Sequence, residues 1–126
     1  MDAKGLHDFY FDEMKWCGCG DPAGAMEFVG KVLDILKRRS DSNTSPANVH
    51  YEQSEWKKHT DELRALIGED DVRGLIIMYV IDSFGLTEHG GNVNGSWLTP
   101  KGEEVLAAIK EHGKGDWLEP WEFAQE

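Results

Sequence analysis

Cys17 and Cys19, separated by Gly18 and followed by Gly20, are the side chains with the most evident chemistry in this sequence. A thiol pair just ahead of a helix could exchange electrons, because a helix N-terminus lowers a thiol pKa. It could also supply half of the four Cys/His ligands that a closed zinc site needs. Completing that site would take His7, His89 or His112 from distant positions. The simpler expectation is a structural turn in which Cys17, Gly18, Cys19 and Gly20 are small residues between two helices, with no metal and no cofactor. No Gly-x-Ser-x-Gly elbow, phosphate-binding loop or His-Glu-x-x-His pair occurs. The run Gly90-Gly91-Asn92-Val93-Asn94-Gly95 does not lead directly into a helix, so it lacks the aligned donors of a phosphate cradle. Glu88-His89 and Asp70-Asp71 read as hairpin and helix-cap residues. The chain is therefore expected not to be an enzyme.

Aromatic residues beside acids offer a different chemistry, that of docking. Trp97 lies within a glycine-rich segment, while Trp117, Trp121 and Phe123 stand near the end among Asp116, Glu119 and Glu122. Tryptophan is enriched at binding hot spots, and three large aromatics within seven residues are costly to expose. Two readings follow. Either the tail folds back and enlarges a small core, or it is an acidic-aromatic segment that docks into a partner's groove.

The elements that must position these residues are legible from periodicity. The 126 residues suffice for one domain, with 40% hydrophobic and 29% charged side chains. Residues 6–39 read as a helical hairpin around the Cys-Gly-Cys-Gly turn. Leu6, Phe9, Tyr10 and Met14 share one face of the first helix, and Asp21-Pro22 starts the second. The second helix buries Met26, Val29, Val32, Leu33 and Leu36 and ends on Lys37-Arg38-Arg39, where the dipole favours cations. Residues 40–53 are polar and turn-rich and read as a flexible loop. Ser54 caps a third helix with Trp56, Leu63, Leu66 and Ile67 inward, ended by Gly68. A fourth helix opens at Glu69-Asp70-Asp71 and runs to about Phe84. It is apolar almost all round and is expected to be the central, most buried one. Two short strands, residues 86–89 and 96–98, form a hairpin, and Thr99-Pro100 launches a last helix ending near Gly113. Residues 114–126 form the acidic-aromatic tail. No apolar run reaches the ~20 residues that cross a bilayer, and the first residues lack a signal-peptide pattern, so a cytoplasmic location is expected.

Gly85-Leu86, the glycine-rich hairpin and Leu98-Thr99-Pro100-Lys101-Gly102 resemble the wing of winged-helix regulators of the multiple-antibiotic-resistance type. The resemblance covers about residues 55–112 and implies a fold more than a function. Trp16-Cys17-Gly18-Cys19-Gly20-Asp21-Pro22 and Gly85-Leu86-Thr87-Glu88-His89-Gly90-Gly91 are also similar to segments of small uncharacterised bacteriophage proteins. That likeness implies no activity, although a phage origin would favour a role in host takeover or counter-defence.

Charge decides between the partners a winged helix would suggest. The net charge is -11, and residues 69–126 carry 12 acids against 4 bases. The helix in the DNA-reading position offers Arg73 as its one base, and the hairpin offers none beyond His89. A duplex would be repelled by such a surface. The sequence thus predicts a mainly helical α+β, winged-helix-like domain of about five helices and a two-stranded wing. It would serve as a non-enzymatic protein–protein interaction module of phage type that binds and modulates a host protein with a basic or apolar groove. Trp97, Trp117, Trp121, Phe123, Glu119 and Glu122 would carry the contact. The alternative is a nucleic-acid-associated role, either a diverged winged-helix regulator or an acidic DNA mimic.

Overall fold

The computed structural model describes residues 1–15, 20–42, 54–113 and 115–118. Cys17, Gly18 and Cys19 of the expected turn lie outside the described residues, as do Glu119, Trp121, Glu122 and Phe123 of the tail and residues 43–53 of the expected loop.

The fold is mainly helical α+β, with five α-helices and a two-stranded antiparallel sheet among the described residues. Helix α1 (Ala3–Asp8) is capped by Asp2, whose carboxylate accepts from the Gly5 amide at 2.8 Å. It continues as a π-helical stretch over Phe9–Met14 and stops at Lys15, which takes a left-handed φ of 58°. Leu6, Phe9, Tyr10 and Met14 are all buried, as their spacing predicts.

Helix α2 (Pro22–Asp41) is capped by Asp21 and carries proline in its first turn. It runs two residues beyond Arg39, so Ser40 and Asp41 belong to the helix and not to the loop expected from residue 40. Helix α3 (Glu55–Ile67) starts at Ser54, whose hydroxyl accepts from the Lys57 amide, and ends at Gly68 with φ 106°. Helix α4 (Asp71–Ser83) is capped by Asp70. Strands β1 (Thr87–Glu88) and β2 (Trp97–Leu98) pair Thr87 with Leu98 and Glu88 with Trp97. Helix α5 (Pro100–His112) is the last described helix.

The central element is α2, packed against α3, α5 and β2 and burying Met26, Val29, Val32, Leu33 and Leu36. This corrects the expectation for α4. Only Gly74, Met78 and Ile81 of α4 are fully buried, whereas Val72, Ile76 and Tyr79 are 66%, 59% and 55% exposed. Trp56 is likewise not inward. It sits at the edge of α3 with the Arg39 guanidinium 4.5 Å above its ring.

The junction from hairpin to α5 explains the Leu98–Gly102 motif physically. Thr99 makes three hydrogen bonds with two groups: its amide donates to Leu86 O, its hydroxyl donates to Gly85 O, and the same hydroxyl oxygen accepts from the Gly102 amide. A Cβ on Gly102 would lie 2.0 Å from Leu86 O, so this position excludes side chains. Gly85, at φ 76°, supplies the left-handed turn that leads α4 into β1.

Candidate functional site

Helix α4 presents two apolar rows of identical spacing on opposite sides. Gly74, Met78 and Ile81 form one row at i, i+4 and i+7, and Val72, Ile76 and Tyr79 form the other. The first row faces the core. The second faces solvent and forms a ridge along about two helical turns, roughly 10 Å at the standard rise.

The position of this ridge is fixed at both ends. The Asp70 carboxylate accepts from the amides of Val72 at 2.9 Å and Arg73 at 3.4 Å, which holds the first turn. At the other end, Asp82 Oδ1 lies 3.2 Å from Thr87 Oγ1 and 3.3 Å from His89 Nδ1, tying α4 to the hairpin. The His89 ring stands edge-on to Tyr79, with centroids 6.0 Å apart, so the exposed tyrosine has a defined flank. Acids surround the row. Glu69, Asp70 and Asp71 precede it, Asp82 and Glu88 follow it, and Arg73 is the one base between Glu69 and Glu88. Arg64 approaches Asp71 at 3.5 Å on the α3 side.

The hairpin tip is held by a buried arginine. Arg39 Nη2 donates to the carbonyls of Asn94 at 2.9 Å and Ser96 at 3.0 Å, and Nη1 donates to Thr60 Oγ1 at 3.2 Å. These bonds fasten the Asn94–Ser96 end of the glycine-rich segment to α2 and link α2 to α3, with Val93 in the core and Gly90, Gly91 and Asn92 exposed. Arg39 falls three residues after Leu36 on the buried face of α2. The run Lys37-Arg38-Arg39 reads as dipole-favoured cations, but periodicity alone assigns Arg39 inward.

A second charged set spans three helices. Arg38 forks onto Glu62 at 2.7 and 3.0 Å and reaches Asp34 at 3.0 Å, which also meets Lys110 at 2.9 Å. The Arg38 fork holds the Glu62 carboxyl below its ordinary value. At Asp34, burial pushes upward, but Lys110 and Arg38 outweigh it and the carboxyl lies below its usual range. The Arg38 guanidinium is in turn held more firmly protonated, chiefly by Glu62. These charges are engaged with one another and tie α2 to α3 and α5.

Of the residues singled out by sequence, Gly20, Trp97 and Trp117 are described, and each has different surroundings. Trp97 is 44% exposed on β2, beside Lys37, Ser40, Asp41 and Glu103 in a small cleft at the end of α2. Trp117 is 1% exposed and packs on Tyr10 with centroids 5.5 Å apart, so it belongs to the core. Gly115, at φ 84°, accepts a hydrogen bond from the Leu118 amide and so turns the chain back. Gly20 is exposed ahead of the Asp21 cap, and a Cβ there would touch nothing within 4 Å. Among the described residues no cluster of three His, Cys, Asp or Glu side chains could hold a metal ion, and no helix is long and apolar enough to cross a membrane. No family model, curated protein or solved structure matches the chain.

Proposed function

We propose that the chain is a non-enzymatic protein–protein interaction module whose contact surface is the solvent face of α4. The observation that carries this reading is the row Val72, Ile76 and Tyr79, three large apolar side chains each more than half exposed on a helix held at both ends. Scattered surface hydrophobics need no explanation, but a contiguous row rimmed by polar groups marks an interaction site. The same row weighs against reading DNA with α4, since such a helix presents arginine and lysine to phosphates and bases. The likeness to small phage proteins makes a host protein the natural partner, to be bound and modulated.

Affinity capture from a bacterial lysate treated with nuclease tests this reading. A protein retained by the wild type and by Trp97→Ala, but lost with Ile76→Asp/Tyr79→Asp, is the expected result. Retention that ignores the α4 substitutions, or retention of nucleic acid alone before nuclease treatment, would overturn it.

A further inference from the structure

We infer that the occupant of the α4 face is a cationic amphipathic helix of another protein, not a second copy of this chain. The inference rests on α4 being the docking surface and adds the chemistry of what covers it. Shape is the first argument. Val72, Ile76 and Tyr79 form an exposed apolar stripe at i, i+4 and i+7, the spacing with which helices pack side chains against a facing helix. A helix laid along it would contribute apolar residues at the same spacing, in the manner of helical recognition segments.

Charge is the second argument, and it selects the partner. Between Glu69 and Glu88 the chain carries five carboxylates and a single base, Arg73, and the acids bracket the apolar row at both ends. Lysines or arginines flanking the apolar residues of the incoming helix would meet Glu69 and Glu88, both exposed, beside Asp71, which Arg64 approaches at 3.5 Å. Two copies of α4 packed face to face would instead bring these acidic ends together, on a chain whose net charge is already -11. Like charges across an interface oppose association and suppress the wrong partner. The apolar row then governs how long the complex lasts, and the acidic rim governs how fast it forms.

The test titrates the isotopically labelled full chain with an amphipathic leucine–lysine peptide of about 15 residues, long enough to form a helix. A leucine–glutamate peptide of the same pattern is the control, and amide chemical shifts are the readout. The lysine peptide is expected to shift the α4 amides from Val72 to Tyr79, with affinity falling about tenfold between low and high salt as the charges are screened. Ile76→Ser/Tyr79→Ser keeps every charge and should lose at least about tenfold in affinity, and Glu69→Gln/Glu88→Gln keeps the ridge and should slow association. Equal binding of both peptides, shifts centred away from α4, or concentration-dependent broadening at α4 without peptide would each overturn the inference. The lysate capture stays independent of this result. If capture still depends on Ile76 while the lysine peptide fails, the docking surface stands and only the cationic helix is wrong.

Discussion

Two tryptophans that look alike in the sequence do opposite things. Trp117 is sealed against Tyr10, while Trp97 stands almost half exposed on β2. Trp117→Ala is expected to cost about 3–5 kcal/mol, the usual range for emptying a large buried aromatic site. For a domain of this size that lowers the thermal midpoint by more than about 10 °C. Trp97→Ala should stay within about 0.5 kcal/mol of the wild type, as ordinary surface substitutions do. Thermal unfolding of the two variants followed by circular dichroism checks the contrast, and equal midpoints would refute it. The sequence left both fates open for the tail, because acidic neighbours suit a solvated segment as well as the rim of a core. The structure decides for the core: just past Gly115, at φ 84°, Trp117 packs on Tyr10. Arg39 was concealed differently. A cation near a helix end has a sufficient explanation in the dipole, and only its register three residues beyond Leu36 points inward.

At the scale of elements, the capped helix starts were the most legible part. Asp21-Pro22, Ser54 and Thr99-Pro100 each place a capping oxygen before a helical period, and each opens a helix where the caps predict. The burial of α4 was not legible. With apolar rows on both sides, periodicity cannot say which row meets the core, and an all-apolar helix reads as wholly buried. The second row is more than half exposed, which is the reason to assign it a partner. The hairpin makes an element-scale prediction of its own. Gly102→Ala would drive a methyl group into the Leu86 carbonyl at the point where β1, β2 and α5 meet. The rigid backbone there cannot move cheaply, so a loss of about 1–3 kcal/mol is expected. Gly90→Ala, which meets nothing within 4 Å, should be neutral or slightly stabilising. Denaturant midpoints of the pair measure the difference, and a tolerant Gly102 would show that the junction can flex.

Across the whole molecule, a net charge of -11 sets stability against itself. Self-repulsion among 24 acids opposes compaction, while the set formed by Lys110, Asp34, Arg38 and Glu62 binds α5, α2 and α3 together. Glu62 titrates below its ordinary value of about 4.5 because Arg38 holds its charged form. A carboxyl depressed on folding adds stability that is complete above the unfolded value and is lost as pH falls through the folded one. Asp34 follows the same sign from its ordinary 3.8. Glu62→Gln should therefore be less stable than the wild type at neutral pH, by at most about 1 kcal/mol because the pair is half exposed to screening solvent. The two proteins should converge once the pH drops well below 4.5, where the wild-type carboxyl is itself neutral. Salt separates the two opposing effects. Raising it at neutral pH should stabilise both proteins by relieving repulsion, yet narrow the gap between them by screening the Arg38 pair. Urea unfolding across pH and salt reads both quantities. A gap that persists in acid would mean that Glu62 acts through packing, and that the charged set is not what holds α3 to α2.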